Sequence, residues 1–233
     1  MSGLGQNYWK EVIGVLREII PVYDRVNNVI SLGQGSKYRN IGISSGINKG
    51  DFVVDAGSGF GNMTKVALRE MNGNISVIMY DPLLEMLANA KKLIDLKNYY
   101  GLSCGVFEHM PFRENSVDVV MCGYSLRDAI CLEDAISESH RILRKNGKFI
   151  IVDLGKPDNS LARSLVSFYL KHILGILAYI VSGKSGLKFK TLYGTYLRWP
   201  RNALLYELLS RRFNAVEMRK ELLGGAIIVI ANK

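Results

Sequence analysis

Phe52-Val-Val-Asp55-Ala-Gly57-Ser-Gly59-Phe-Gly61 is the stretch on which the fold turns. An apolar run meets an acid and then a loop with glycine at every second position. The run Phe52-Val53-Val54 reads as a short buried strand, and Met63 to Met71 behind the loop has helical spacing. A strand that feeds a helix through glycines belongs to a parallel α/β sheet. In such sheets ligands bind outside the carboxyl ends of the strands. Glycine lets the backbone take angles closed to other residues and come close to a ligand. A dinucleotide fingerprint needs its third glycine at position 62. Asn62 stands there, so the spacing is GxGxG. Asp55 precedes the first glycine by two residues and is expected inside the loop mouth, where a carboxylate suits a cationic group better than a pyrophosphate.

Working outward, Asn72-Gly73-Asn74 is a turn. Ile75 to Tyr80 is a second strand closing on Asp81-Pro82, and an acid there can accept hydrogen bonds from both ribose hydroxyls. Strand, Asp55, GxGxG, helix, strand and Asp81 together favour a nucleoside carrying positive charge, S-adenosylmethionine. The alternation continues with helix Leu83 to Leu96 and strands Leu102 to Phe107 and Val117 to Tyr124. Helix Leu132 to Leu143, a turn at Asn146-Gly147 and strand Lys148 to Leu154 follow. Ala215 to Leu222 and Ala226 to Ala231, parted by Gly224-Gly225, read as an antiparallel hairpin at the sheet edge. Upstream, Asn7 to Ile20 is an amphipathic helix stopped by Pro21, and Ser31 to Gly35 is a glycine-rich break. The expected fold is α/β: a Rossmann-like sheet, mostly parallel, with a C-terminal antiparallel hairpin and helices on both faces. It forms one domain over 1–233, with a helical cap at 1–45 and an apolar, basic helical insertion at 156–213.

Composition supports one well-cored domain: 233 residues, 48% hydrophobic and 22% charged, which excludes disorder, collagen and a disulfide scaffold. Cys104, Cys122 and Cys131 are odd in number and form no CxxC pair. They are expected to be reduced thiols of a cytoplasmic protein, with no metal framework. No basic head with an apolar run and cleavage site follows Met1, so no secretory signal is expected.

The charge is uneven. Met1 to Gly155 carries 17 Lys/Arg against 17 Asp/Glu, while Lys156 to Lys233 carries 13 against 4, the whole net charge of +9. A basic third suggests an acidic partner. Within it, Leu165 to Val181 (LVSFYLKHILGILAYIV) is very apolar, with Lys171 and His172 near its middle. The uninterrupted apolar stretch after His172 is shorter than the roughly 20 residues a bilayer span needs. The segment is therefore a lid helix on the core or a helix lying in an interface. With Lys184, Lys188, Phe189 and Lys190 behind it, it has the pattern of a peripheral contact with an anionic membrane surface. No nucleic-acid module is visible, which puts nucleic acid last among acidic partners.

Several motifs carry a family resemblance. Tyr23-Asp24-Arg-Val-Asn27-Asn-Val-Ile-Ser31-Leu-Gly33, followed by Tyr38-Arg39, resembles the YDxxNxxxSxG signature of the ubiquinone/menaquinone biosynthesis C-methyltransferases, within the class I S-adenosylmethionine-dependent methyltransferases. Glu108-His-Met-Pro111-Phe112 with Asn115-Ser-Val-Asp118 resembles their ExLPFxDNxFD stretch. Tyr124-Ser-Leu126-Arg127-Asp128 stands where they have FGLRN, and Arg141-Ile-Leu143-Arg-Lys145-Asn-Gly147 resembles RVLKPGG. Leu154-Gly-Lys156-Pro157 resembles part of EFSKP, and Tyr193, Tyr196 and Leu197 resemble a later YxYL element. This chain departs at Val106, where the family has a polar residue facing adenine, at Phe107, and at Asp128 in place of Asn.

The resemblance implies a methyl transfer to a ring carbon of a polyprenylated benzoquinol or naphthoquinol. It implies cofactor contacts from Tyr23, Arg39, Asp55, Gly57, Ser58, Gly59, Thr64, Asp81, Pro82, Val106, Phe107 and Gly123, without a metal. A ring carbon becomes a good nucleophile when the neighbouring phenol loses its proton. Arg127 is the candidate for stabilising that phenolate, and Asp128 or His109 is the candidate base. Helix Asn7 to Ile20 and segment Leu165 to Val181 are candidates for a lipid-accepting cap. The alternatives are a methyltransferase of another lipid, small molecule or RNA, and a non-catalytic S-adenosylmethionine-binding subunit of a membrane assembly. The oligomeric state stays open.

Overall fold

The computed structural model describes residues 3–23, 25, 28, 33–93 and 100–233. Asp24, Asn27 and Ser31 of the signature lie outside the described residues, as do the side chains of Phe189 and Lys190. Seven strands form one sheet: β1 (Phe52–Ala56), β2 (Ser76–Asp81), β3 (Tyr100–Cys104), β4 (Val117–Gly123), β5 (Leu143–Leu154), β6 (Ala215–Glu221) and β7 (Ala226–Asn232). Their order is β3-β2-β1-β4-β5-β7-β6. The first five are parallel, and β7 runs antiparallel between β5 and β6. The expected hairpin is present, but of its two strands only β6 lies at the edge. The order reverses between β1 and β4, so the crevice for a ligand opens at their carboxyl ends.

Alternation along the strands builds a core on each face. Val54, Val120, Phe149, Ile151, Ile227 and Val229 face one way. Val53, Val119, Met121, Ile150, Val152 and Ile228 face the other. The helices are α1 (Gln6–Ile19), α2 (Gly35–Gly46), α3 (Asn62–Glu70), α4 (Leu84–Leu93), α5 (Leu132–Ile142), α6 (Ser160–Ser182), α7 (Thr191–Arg198) and α8 (Asn202–Ser210). Helix α5 and helix α8, through Ile136, Leu205 and Leu209, cover the first face. Helices α2 and α3 cover the second through Tyr38, Ile43, Met63 and Val66.

Helix α2 was not signalled by apolar periodicity. It reaches the sheet through glycines: a Cβ on Gly42 would lie 3.1 Å from Val152 Cγ2, and one on Gly46 would fall on the Ile150 side chain. Segment 156–213 likewise differs from a single insertion, because its last helix, α8, is part of the main core. Helix α6 runs unbroken for 23 residues, longer than the apolar stretch read from sequence. It contains a π-helical turn at Tyr169–Ile173, and only Leu170, Leu174, Gly175 and Ala178 along it are buried. By length and composition it could cross a membrane, but Leu170, Leu174 and Ala178 pack against Ile19 of α1 and Tyr196 of α7. It therefore lies along the protein.

Candidate active site

The glycine loop turns the chain from β1 into α3. Gly57, Gly59 and Gly61 have φ of 65°, 53° and 71°, a region that side chains disfavour. A Cβ on Gly57 would fall on Ser125, whereas nothing lies within 4 Å of one on Gly59, which borders open space. Asp81 fixes the loop: its carboxylate accepts from Gly59 N at 2.8 Å and from Leu83 N at 2.9 Å. Each oxygen keeps a free lone-pair direction. Burial pushes Asp81 up to about 6, with those two N–H groups opposing.

Asp55 sits elsewhere than expected. It belongs to β1, is fully buried, and does not border the ligand slot. One oxygen accepts from Thr64 Oγ1 at 2.6 Å and Thr64 N at 3.1 Å, tying β1 to the first turn of α3. The other has no hydrogen-bond partner, nor has the buried Ser58 Oγ. Burial raises Asp55 to about 7 despite the Thr64 bonds and the Arg39 charge. A strand end is a buried position here, since β1 is central and covered on both faces.

Three hollows meet at the carboxyl end of the sheet. A narrow slot is bordered by Tyr23, Gly57, Gly59, Asp81, Pro82, Val106 and Phe107, with Trp9, Ile13 and Leu16 of α1 closing it. A cavity of about 620 Å³ lies beside it, bordered by Arg39, Phe60, Asn62, Tyr124, Arg127 and Leu154 among others. An apolar cleft runs between α1 (Val12, Val15, Leu16, Ile19) and α7 (Leu192, Thr195). Asp128 borders slot and cleft, Arg127 borders cavity and cleft, and Tyr124 borders slot and cavity. The Leu126–Asp128 turn thus stands at the junction of all three.

Arg127 has a partner that sequence reading missed. Its Nη1 donates to Asp153 Oδ1 at 2.5 Å, while Asp128 Oδ1 is 3.8 Å from Nε. Asp153 is fully buried on β5, and Arg127 is 9% exposed. Burial alone would lower the guanidinium, but Asp153 and Asp128 outweigh it and hold the group charged. With Arg127 engaged by Asp153, Asp128 Oδ1 is left without a hydrogen bond. Burial raises Asp128 to about 6, with Arg127 opposing and Asp153 adding. An acid closing the apolar run Phe149-Ile-Ile-Val152 carries the same signal that picked out Asp81, and it would have found Asp153.

The remaining expected residues fall into place around this junction or away from it. Tyr80 Oη lies 2.9 Å from the carbonyl oxygens of Val106 and His109 and pins the loop that brings Val106 and Phe107 to the slot. A Cβ on Gly105 would fall on that hydroxyl. Arg39 lies over the Tyr124 ring, 5.0 Å from its centroid, and Tyr124 itself holds a left-handed φ of 62°. A Cβ on Gly123 would be 2.6 Å from Met63 Cγ, so this glycine seats α3. His109 is exposed and borders a separate depression with Glu138 and Arg141; it is not brought to the junction.

The free lone pairs of Asp81 and the open space at Gly59 fit an adenosine-type ligand, whereas Ser58 is buried and, like Asp55, does not border the slot. Comparison with known proteins agrees. The model of the ubiE/COQ5 methyltransferase family matches residues 2–233. The chain is 28% identical over 173 residues to a 2-phytyl-1,4-naphtoquinone methyltransferase of Nostoc sp., covering 72% of this chain and 75% of that one. It is 28% identical over 175 residues to the ubiquinone/menaquinone biosynthesis C-methyltransferase UbiE of Rickettsia prowazekii, covering 72% and 71%. With the demethylmenaquinone methyltransferase of Lactobacillus johnsonii it shares 29% over 166 residues, covering 70% and 68%. Among solved structures, a SAM-dependent methyltransferase from Aquifex aeolicus superposes with a TM-score of 0.59 at 13% identity, covering 90% and 96% of the two chains. The YcgJ protein of Bacillus subtilis gives 0.56 at 16% identity, covering 84% and 98%. At such identities the structures speak for the fold alone. The fold, the glycine loop and a family match running nearly end to end lead to one conclusion: this chain belongs to the ubiE/COQ5 methyltransferase family.

Proposed function

We propose that the protein transfers a methyl group from S-adenosylmethionine to a ring carbon of a polyprenylated benzoquinol or naphthoquinol. The observation that carries this reading is the meeting of slot, cavity and apolar cleft at Arg127–Asp128. When bound, S-adenosylmethionine supplies a methyl group on a positively charged sulfur. Asp81 would accept its ribose hydroxyls, Gly57 and Gly59 would let the backbone approach it, and Val106 and Phe107 would flank its base. Trp9, Ile13 and Leu16 exclude water from the slot, which strengthens every charge interaction inside it. The printed names of the relatives above support a quinone-type acceptor.

On the acceptor side, Arg127 stabilises the phenolate formed when the quinol hydroxyl ionises. Asp153 holds the guanidinium in one orientation, so its charge needs no rearrangement as the negative charge grows. Asp128, half-buried with a free oxygen, receives the proton that leaves the ring carbon after the new carbon–carbon bond forms. The cleft of Val12, Val15, Ile19 and Leu192 takes the first units of the prenyl tail.

The test is a titration with S-adenosylhomocysteine followed by turnover on a short-tailed demethylnaphthoquinol. Saturable binding and a product one methyl heavier are expected. Arg127→Ala should bind the nucleoside as well as the wild type yet lose most turnover; wild-type turnover in that variant would overturn the phenolate role.

A further inference from the structure

We infer that the exposed face of α6, together with the Leu222–Gly224 turn, is a docking surface for an anionic lipid bilayer, placed at the end of the sheet where the active site opens. The inference deepens the reading of a lipid-tailed acceptor and rests on it for what the bilayer would deliver.

Helix α6 is apolar on its outer side as well as on the side packed against the protein. Leu170, Leu174 and Ala178 are buried against α1 and α7. Leu161, Leu165, Phe168, Ile176, Tyr179 and Ile180 are exposed, Ile180 by 72%. The π-helical turn at Tyr169–Ile173 lengthens one turn of the helix. It spaces Phe168 and Ile176 two turns apart, which keeps the outer row on one side. A solvated helix would carry charged residues on this face.

The turn after β6 repeats the anomaly. Leu222 and Leu223 have φ of 50° and 57°, and they are 50% and 80% exposed. The left-handed region suits Gly, Asn or Asp, and a bulky apolar residue there is an outlier. Two consecutive leucines held at an unfavourable angle and pointed into water gain nothing for the fold.

Topology brings the two features together. Ala226 pairs with Leu154 at the carboxyl end of β5, and Gly155 N donates to Gly225 O at 2.9 Å. The Leu222–Gly224 turn therefore stands at the sheet end that carries Arg127, and Leu154 itself borders the 620 Å³ cavity. Helix α6 leaves the same end, and its Val166 Cγ2 lies 3.0 Å from where a Cβ of Gly225 would be.

Charge selects the occupant. From Ser160 to Tyr206 there is no Asp or Glu, against seven Lys/Arg. Lys188 pairs with Glu18 of α1 and so serves the fold. Lys171 and Lys184 are exposed and have no ion pair among the described residues. A helix face with cations and no carboxylates matches an anionic lipid surface, to which each basic residue adds attraction, and Glu221 beside the turn is paired with Arg219.

The experiment is flotation of the full chain with phosphatidylcholine vesicles with and without phosphatidylglycerol. Wild type should float with the anionic vesicles, and added salt should weaken binding. Leu222→Asp with Leu223→Asp places residues at this turn that tolerate its backbone angle, so folding is preserved. It should bind about tenfold more weakly or worse. Lys171→Glu with Lys184→Glu should lose the preference for phosphatidylglycerol. The leucine variant should methylate a short-tailed soluble quinol at the wild-type rate and a long-tailed quinol in vesicles more slowly. Wild type that does not float, or a leucine variant that floats unchanged, overturns the inference. So does a wild-type dimer that the leucine variant dissolves without any flotation, which assigns the face to a second copy. Turnover without flotation would leave the quinol reading standing and sink this one; flotation without turnover of any quinol would do the reverse.

Discussion

Asp128 and Arg127 are neighbours in sequence that separate in role because a third residue claims one of them. Asp153, 26 positions on, binds the guanidinium at 2.5 Å and leaves Asp128 with an unpartnered oxygen and a proton affinity raised to about 6 by burial. A base must be deprotonated to act, so kcat should climb as pH rises through about 6. Asp128→Asn should cost on the order of 10²–10⁴ in kcat, leave nucleoside binding intact and abolish that limb; a variant that keeps the limb would show that the base lies elsewhere. The pair was legible in sequence as a motif, and its geometry was not. The two are adjacent in the chain, yet the shorter contact of Arg127 joins it to a residue on a different element. Asp55 shows the same limit: its position before the glycines was readable, but its burial depends on β1 being central in the sheet. His109 was the alternative candidate base, and the Tyr80 anchor on its carbonyl oxygen fixes the loop with the imidazole exposed, away from the junction.

Elements with strong periodicity were found from sequence to within a few residues, including α1, α3, α5 and six of the seven strands; β5 starts at Leu143, five residues before the expected strand, and the turn expected at Asn146-Gly147 is instead an irregularity inside it, where the pairing with β4 shifts register. Helix α2 was not found, because part of its contact with the sheet is made through glycines, beside the Tyr38 and Ile43 side chains. Gly42 and Gly46 let its backbone rest on Ile150, Val152 and Ile228, so it shows no apolar stripe. Gly46→Ala puts a methyl group on the fully buried Ile150. Overpacking of this kind costs about 1–3 kcal/mol, which lowers the melting temperature by roughly 2–4 °C per kcal/mol in a chain of this size. Differential scanning calorimetry checks it, and Gly50→Ala is no substitute control, since its φ of 90° adds strain of its own. Unchanged melting in Gly46→Ala would mean that α2 is seated less tightly than its contacts indicate. The run of α6 past its apolar stretch was missed for a different reason: the helix starts five residues earlier, capped by the Asn159 side chain accepting from Ala162 N, and Ser160, Arg163 and Ser164 extend it without adding to the apolar run.

At the scale of the whole molecule, the ligand site is held at a cost that depends on pH. Asp55 and Asp81 have proton affinities of about 7 and about 6 in the fold, both raised first by burial, against about 3.9 in an unfolded chain. The folded state therefore binds their protons more tightly. Their contribution to stability is complete below pH about 4 and is lost as pH rises through 6 and 7. Glu138 and Asp158 are shifted the other way, Glu138 chiefly by its bond with Arg141 and Asp158 by its bonds with Ala203 N and Lys220 once burial is overcome, and they act at lower pH. The ligand-free protein should accordingly melt higher near pH 5.5 than near pH 8, and Asp55→Asn should flatten the difference while keeping an acceptor for Thr64. A slope unaltered by that substitution would remove Asp55 as its source.

Helix α1 forms a wall of two chambers at once. Trp9, Ile13 and Leu16 face the slot, and Val12, Val15, Leu16 and Ile19 face the cleft. A single door hung across two rooms cannot be opened for one alone. Any displacement of α1 that widened the slot would widen the cleft as well, which couples the two sides mechanically.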